Sequence, residues 1–264
     1  MPITLEQSQV NEIATMLYNA ERDKKAINPI TAIHPRITIE DAYAIQSYNV
    51  SRKVTNGDKH LGWKIGLTSQ AMQKVLGVNE PDFGHLLQSM RLQANTNLKE
   101  SALISPRIEP EIAFILQSDL RGPGVSKNDV LNATRYITPA LEIIDSRIRN
   151  WQVEICDTIA DNASGAYYLL GKNQYPLEDL DLASIWLDFG VDGRIVSSAG
   201  ASAVLGHPAN AVAWLCNAIA PLGKNLLAGQ VVMSGSLIGA IEMNRGHTFY
   251  ANFTSLGTID LKII

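Results

Sequence analysis

The sequence predicts an α+β protein in which a helical N-terminal portion precedes a strand-rich remainder. Apolar residues recur at helical intervals in the first segments, whereas several segments after residue 100 place them at every second position. The 264 residues are 46% hydrophobic and 18% charged, which is typical of a folded globular chain. We expect residues 1–99 to form a helical portion with one strand that carries Lys64, and residues 100–264 a β-rich part. The two should fold as one cooperative unit because no flexible linker separates them.

Helices are predicted where a capping residue or a proline precedes apolar residues at helical spacing. Thr4 with Gln7, and Thr38 with Asp41, have the spacing of a capping box. The predicted helices span residues 4–22, 38–57, 69–76, a segment that follows Ser126, and 208–220.

Strands are predicted by short apolar runs and by alternation of apolar and polar residues. Asp192-Gly193 predicts a hairpin turn, and residues 80–84 a turn or loop. The predicted strands lie within residues 60–68, 107–116, 141–144, 167–170, 185–191, 231–233, 249–253 and 259–263.

Composition and charge exclude several partners. Lys and Arg total 22 against 26 Asp and Glu, a formal charge of −4, and no basic run could follow a phosphate backbone, so we expect no nucleic acid partner. No window approaches the roughly 18 uninterrupted apolar residues that a membrane span needs, and the N-terminus lacks a secretory pattern. Cys156 and Cys216 stand far apart in no paired motif, which predicts free thiols in a reducing cytoplasm.

The segment Arg107-Ile-Glu-Pro-Glu-Ile-Ala-Phe-Ile-Leu116 is the strongest indication of chemistry. On a strand, Glu109 and Glu111 project from one face, and two adjacent carboxylates in an apolar segment repel each other unless a cation lies between them. Glu142 interrupts another apolar run and could be a third ligand. Three carboxylates favour Mg²⁺ or Mn²⁺ over zinc. Pro110 lacks an N–H group and predicts a strand edge or a bulge.

An alternative reading gives each of these glutamates an arginine partner, such as Arg107 or Arg147, in structural salt bridges. Lys64, on a strand flanked by glycines, is an acid, base or anion-binding candidate, or its ammonium simply reaches water. Asp82 could be a general base, or its side chain could bond backbone amides within a turn.

Two small polar clusters end apolar segments, where hydroxyls and backbone amides can hold a carboxylate. The clusters are residues 161–165, which include Ser164, and 234–236, which include Ser236.

The chain resembles the 2-hydroxypenta-2,4-dienoate (2-keto-4-pentenoate) hydratases and 4-oxalocrotonate decarboxylases of the fumarylacetoacetate hydrolase superfamily. Two blocks that carry the resemblance are Pro106-Arg-Ile-Glu-Pro-Glu-Ile112 and Pro139-Ala-Leu-Glu-Ile-Ile-Asp-Ser-Arg147. Further matching blocks follow the same order along the chain: residues 64–69, 76–78, 81–84, 157–158 with 160–164, 205–208 and 234–237.

This resemblance implies a distorted β-roll or sandwich with an N-terminal helical portion, usually in homo-oligomers. It implies that the three glutamates hold Mg²⁺ or Mn²⁺ and that Lys64 and Asp82 are catalytic. It also implies that Ser164 and Ser236 bind a small-molecule 2-hydroxydienoate or 2-oxo-enoate substrate.

The activity expected from the resemblance is hydration of 2-hydroxypenta-2,4-dienoate to 4-hydroxy-2-oxopentanoate in meta-cleavage degradation of aromatic compounds. Decarboxylation of 4-oxalocrotonate (2-oxo-3-hexenedioate) is the alternative within the family. Some blocks also resemble hydratases of seven-carbon oxo-dioates, so the substrate chain length stays open. A complex with another pathway enzyme is plausible, and a binding protein that has lost the chemistry is the alternative from another class.

Overall fold

Residues 3–69, 73–74, 77–178 and 180–264 are those that the computed structural model of the protein describes. Six α-helices and eleven strands lie within these ranges. The helices are α1 (Gln7–Asp23), α2 (Ile30–Ile33), α3 (Ile39–Thr55), α4 (Lys127–Ala133), α5 (Ile155–Ala160) and α6 (Pro208–Ile219). The strands are β1 (His60–Gly66), β2 (Asp82–Leu87), β3 (Pro106–Leu116), β4 (Thr134–Asp145), β5 (Gly165–Leu170), β6 (Trp186–Val191), β7 (Arg194–Gly200), β8 (Val231–Met233), β9 (Ile241–Glu242), β10 (Thr248–Phe253) and β11 (Gly257–Lys262).

Capping residues and prolines in the sequence predict the starts of α3, α4 and α6 correctly. The Thr38 N–H donates to Asp41 Oδ2 at 2.9 Å at the start of α3, as the capping-box spacing predicts. The predicted cap at Thr4 is wrong, because Thr4 donates to Asp41 and α1 begins at Gln7. Of the helix predicted for residues 69–76, positions 70–72 and 75–76 lie outside the described residues.

A seven-stranded mixed sheet carries the strands that surround the candidate site. Its order is β2-β1-β8-β3-β4-β5, with β9 added beside β3, and each neighbouring pair is antiparallel except β1 with β8. The predicted loop at residues 80–84 is wrong in its second half, since Asp82 begins the fully buried strand β2.

The position of Pro110 differs from the predicted edge or bulge. Strand β3 is flanked on both sides, and its register with β4 is regular through Pro110. Its other neighbours, β8 and β9, pair on either side of this proline, which lies opposite the connection between them. There the Pro110 carbonyl accepts a hydrogen bond from the Leu237 N–H at 3.2 Å. Proline has no N–H group to donate, and Pro110 lies in the gap between the segments of β3 that pair with β8 and with β9.

A second sheet, of order β11-β10-β6-β7, covers one face of the first. The hairpin predicted at Asp192-Gly193 joins β6 to β7. Side chains of both sheets and of α6 share one hydrophobic core, to which β3 and β4 contribute Ile108, Ile112, Leu141 and Ile143. Because side chains alternate along a strand, their neighbours Glu109, Glu111 and Glu142 face the opposite side of the sheet.

The N-terminal helices pack together beside the first sheet. Helices α1 and α3 share a second core with α5. The side-chain amide of Gln46 in α3 donates to the carbonyls of Phe83 and Ile159, and thereby links α3 to β2 and α5. Strands β1 and β2 belong to the same sheet as β3 to β5, so the sheet spans the predicted division at residue 99, which stays a prediction.

Two smaller expectations can be compared with the described residues. Among the helices in these ranges, none is long and apolar enough to cross a membrane. Cys156 and Cys216 are both buried and form no disulfide, in agreement with the predicted free thiols.

Candidate metal centre

Glu109, Glu111 and Glu142 meet on one face of the first sheet, as the alternation of β3 predicts. Glu109 lies directly opposite Glu142 in the antiparallel pairing of β3 with β4, so their side chains project from the same face. One carboxylate oxygen from each of the three lies within 4.8 Å of the others. Glu111 and Glu142 are 0% and 1% exposed, and Glu109 is partly exposed. The open side of the cluster is therefore next to Glu109.

Several oxygens of this cluster accept no hydrogen bond from the residues that the structure describes. Both oxygens of Glu142 and Oε1 of Glu111 are buried without one, and only Glu142 Oε1 has an ion-pair contact, with Lys64. Glu111 Oε2 accepts the Gly235 N–H at 2.7 Å, and the φ of +99° at Gly235 suits glycine far better than other residues. Buried carboxylates without partners are costly, and hard divalent cations bind such oxygen sets. The donor set therefore fits Mg²⁺ or Mn²⁺.

The alternative of structural arginine salt bridges does not describe this cluster. Arg147 is buried and pairs with Asp161. Arg107 stacks over the Trp151 ring at 4.4 Å and lies 3.9 Å from Glu242. Neither guanidinium forms an ion pair with a cluster glutamate within the described part of the chain.

Burial and mutual repulsion shift the acid–base equilibria of the cluster. Burial is the largest cause, and the neighbouring Glu142 the second, of a rise in the pKa of Glu109 to about 7. The same two causes raise the pKa of Glu111 well above its usual range. Without a cation the cluster therefore retains protons near neutral pH, and a bound cation would replace them.

Lys64 occupies the middle of β1 and supplies a positive charge beside the cluster. Its ammonium lies 3.2 Å from Glu142 Oε1 and donates to the Ala163 carbonyl at 2.9 Å. The side chain is 3% exposed, so the alternative of an ammonium in water is wrong. Burial acts to lower the pKa of Lys64, but the nearby carboxylates, Glu142 first, outweigh it and raise that pKa. Lys64 is therefore a fixed cation at neutral pH.

Asp82 faces the same space from the start of β2. It is 1% exposed, and neither carboxylate oxygen makes a well-formed hydrogen bond within the described residues, so it is not a turn-stabilising aspartate. A Cβ at Gly66 would lie 2.1 Å from Asp82 Oδ1, so glycine leaves the room that this carboxylate occupies. Burial raises the pKa of Asp82 to about 6, although Lys64 opposes the rise. Asp82 can therefore exchange a proton near neutral pH.

The two predicted substrate-binding serines differ in their surroundings. Ser164 is 2% exposed, and its hydroxyl has no hydrogen-bond partner in the described residues. It directly follows Ala163, whose carbonyl binds Lys64. Ser236 is partly exposed, and its hydroxyl lies 3.5 Å from the Pro110 carbonyl. Ser164 thus adjoins the residue that binds Lys64, and Ser236 adjoins Gly235, whose N–H binds Glu111.

Sequence reasoning missed the buried ion pair of Arg147 with Asp161, which holds the segment before Ser164. Arg147 donates to Asp161, to the Asp145 carbonyl at 2.7 Å and to the Gly165 carbonyl at 3.1 Å. This buried ion pair fixes the segment before Ser164 to the end of β4. In the sequence, Asp161 belongs to a small polar cluster and Arg147 lies 14 positions before it, and neither pattern reveals that the two side chains pair with each other.

Fold and site together define a class of protein: an α+β chain whose curled sheet presents three carboxylates suited to a divalent cation, next to a buried lysine. The model of the fumarylacetoacetate (FAA) hydrolase C-terminal family matches residues 86–264. The chain belongs to this family, as the resemblance predicted.

Comparison with individual proteins agrees with this assignment. The chain is 42% identical to a 2-hydroxyhexa-2,4-dienoate hydratase of Comamonas testosteroni over 93% of its own length and 94% of the relative. It is 39% identical to a 2-keto-4-pentenoate hydratase of Paraburkholderia xenovorans (strain LB400), over 95% and 93% of the two lengths. The structure of 4-oxalocrotonate decarboxylase from Pseudomonas putida G7, complexed with magnesium and adipate, matches with a TM-score of 0.97 and 33% identity over 100% of both chains.

Proposed function

We propose that this protein is a metal-dependent hydratase that adds water to 2-hydroxypenta-2,4-dienoate and yields 4-hydroxy-2-oxopentanoate. The reaction belongs to meta-cleavage degradation of aromatic compounds. The observation that carries the proposal is the buried cation Lys64 and the buried Asp82, which makes no well-formed hydrogen bond within the described residues, both beside a three-glutamate cluster. The similarity to hydratases at about 40% identity over nearly the whole chain supports it.

Glu109, Glu111 and Glu142 would hold the Mg²⁺ or Mn²⁺ ion. A cation bound there would supply Lewis-acid stabilisation of negative charge on the 2-oxygen of the substrate. Glu111 is held in place by the Gly235 N–H, so the ligand set is partly pre-organised.

The net change is the addition of one water molecule: C5 and C3 each gain a proton, C4 gains a hydroxyl, and the 2-hydroxyl group loses its proton. Asp82 is the proton carrier in this proposal because its pKa of about 6 lets both of its protonation states be populated near neutral pH. Lys64 keeps its proton and instead fixes negative charge, since its pKa is raised. This divides the roles of the two predicted catalytic residues.

Ser164 and Ser236 would orient the substrate through their hydroxyl groups. The Ser164 hydroxyl has no partner within the described residues, which leaves it able to bond a ligand oxygen. Ser236 is partly exposed and directly follows Gly235, whose N–H binds Glu111.

Decarboxylation of 2-oxo-3-hexenedioate is the second candidate, favoured by the similarity to the decarboxylase structure. That substrate carries a second carboxylate, which needs a second cation. Arg107 precedes Glu109 by two residues on β3, and its charge opposes the rise in the pKa of Glu109. It is the group we expect to bind the remote carboxylate if the chain accepts such a dioate.

The test supplies the purified protein with each substrate separately, in Mg²⁺ or Mn²⁺ and then in chelator. We expect loss of dienoate absorbance without release of CO₂, and no further loss of that absorbance once chelator stops turnover. Release of CO₂ from the six-carbon acid, with no hydration of the dienoate, would replace the hydratase by the decarboxylase. Metal binding without turnover of either substrate would instead support a binding protein.

We also propose that the protein acts in the cytoplasm as a homo-oligomer and can associate with another enzyme of its pathway. Sedimentation of the purified chain, alone and mixed with a candidate pathway enzyme, tests the assembly. A single species with the mass of one chain would refute the homo-oligomer.

A further inference from the structure

The turn that leads into β5 has a backbone that its sequence does not explain. Asn162, Ala163 and Ser164 all have left-handed φ angles, of 55°, 48° and 55°. Asparagine tolerates this region, but alanine and serine strongly disfavour it, and three such residues in succession are rare. Contacts from outside the turn must therefore hold it in this shape.

The Asn162 side chain makes the contact that joins this turn to β2. Its Oδ1 accepts the His85 N–H at 2.8 Å, and its Nδ2 donates to the His85 carbonyl at 3.0 Å. The amide thus pairs with one residue of β2 in the manner of a neighbouring strand. From the other side, the Ser164 N–H donates to the Asp161 carbonyl at 3.0 Å, and Arg147 holds Asp161.

The consequence of this shape lies at Lys64. The turn directs the Ala163 carbonyl at the Lys64 ammonium. This carbonyl is the uncharged partner of Lys64, and Glu142 is its charged partner. Gly84 on β2 leaves the space for this arrangement. A Cβ there would lie 2.6 Å from the Asn162 carbonyl oxygen and 3.0 Å from Cδ of Lys64.

We infer that Asn162 is a positioning residue that clamps the left-handed turn to β2 and so sets where Lys64 and Ser164 stand relative to the carboxylate cluster. Asn162 acts through these neighbours. The inference deepens the proposed function and rests on it for its kinetic readout only, because the position of the turn can be measured without turnover.

Asn162→Gly is the sharpest test, since glycine adopts positive φ without strain and the change removes the clamp alone. The matched control is Asn95→Gly, because Asn95 is an exposed asparagine with a left-handed φ of 64° outside the site. In a crystal structure of Asn162→Gly, we expect the Ala163 carbonyl to have left hydrogen-bond distance of Lys64, with the glutamates in place. A turn that keeps its contact with Lys64 would overturn the inference.

The kinetic test separates positioning from general support of the fold. We expect Asn162→Gly to lower kcat by about 10- to 100-fold, the scale of a misplacement near 1 Å. Mn²⁺ affinity should change much less than kcat, because the three ligands lie on β3 and β4 and Lys64 keeps its charge. Adding Ser164→Ala to Asn162→Gly should slow the enzyme by no more than about twofold further, since coupled sites are not additive. Independent, multiplicative losses would refute the positioning role.

Two further outcomes are decisive. If Asn162→Gly does not fold, Asn162→Asp provides the test. Aspartate keeps the acceptor for the His85 N–H but loses the donor to the His85 carbonyl, so we expect a kcat between those of the wild type and a variant without the clamp. A kcat equal to that of the wild type would count against the clamp. If the wild-type protein turns over neither substrate, the proposed function fails, and the crystal structures of the asparagine variants still decide the inference.

Discussion

The metal-free protein should lose stability as the pH rises, and Glu109→Gln should remove part of that loss. The folded state raises the pKa of Glu109 from 4.5 to about 7, mainly through burial and then through Glu142. Below pH 4.5 the carboxyl is protonated in both the folded and the unfolded chain. Between 4.5 and 7 the folded chain binds more protons, so its stability falls as the pH increases. Above 7 the full penalty remains.

The size of this effect follows from the difference between the two pKa values. A change from 4.5 to about 7 corresponds to about 3 kcal/mol at most. Glutamine carries no charge at any of these pH values, so metal-free Glu109→Gln should be more stable than the wild type by up to about 3 kcal/mol near pH 8, and equally stable near pH 4.5. With saturating Mg²⁺ the order should reverse, because the amide is a poorer ligand than the carboxylate.

Urea unfolding in chelator between about pH 4.5 and about pH 8 measures the effect directly. Glu178→Gln is the matched control, since Glu178 is exposed and lies outside the cluster. If Glu109→Gln shows the same loss of stability with pH as the wild type, Glu109 does not titrate as the geometry requires. The assignment of a strained carboxylate cluster would then be wrong.

Three further predictions concern the residues around the cluster. Lys64→Met should abolish turnover and tighten Mn²⁺ binding in a titration, because a positive charge beside the glutamates is removed; weaker binding would contradict this. Asp82→Asn should lower kcat by about 100-fold or more with Mn²⁺ affinity retained, and should flatten any limb near pH 6 in the pH–rate profile; an unchanged profile would exclude Asp82 as proton carrier. Gly84→Ala should lower kcat because its Cβ would lie 2.6 Å from the Asn162 carbonyl oxygen, whereas Gly200→Ala, whose Cβ would meet only ordinary contacts, should not; equal effects would contradict the packing argument.

The features of the fold and site that the sequence predicts are those encoded by residues close together along the chain. Glu109 and Glu111 follow from the two-residue period of a strand, and Glu142 from a charge inside an apolar run, which are local patterns. The family and the α+β fold follow from ordered blocks and are confirmed by the comparisons. The proline before Asp82 predicts a turn or loop, yet pairing with β1 makes Asp82 the first residue of a strand. That pairing is a tertiary contact that no local pattern encodes.

The left-handed turn was beyond sequence reasoning for a different reason. Residues 162–164 contain no glycine, so nothing in the local sequence indicates positive φ angles. The turn depends on the backbone of His85, which is 77 positions away from Asn162 along the chain. The predicted cap at Thr4 is wrong for the same reason, because the Thr4 hydroxyl donates to Asp41, 37 positions away. Polar side chains that bond across long sequence separations are where prediction from a single sequence fails here.

These features show how the fold supports a site that is unfavourable without its cation. The glutamates lie on β3 and β4, the two strands with the longest pairing, and the opposite face of those strands packs into the main core. That packing can offset the cost of placing three carboxylates together, while Lys64 balances one of the charges. The clamp at Asn162 follows the same logic, since a strained turn persists only when its surroundings over-determine it. The packed sheet and the left-handed turn therefore both hold the site in place. A substitution that weakens either of them should lower kcat before it unfolds the protein.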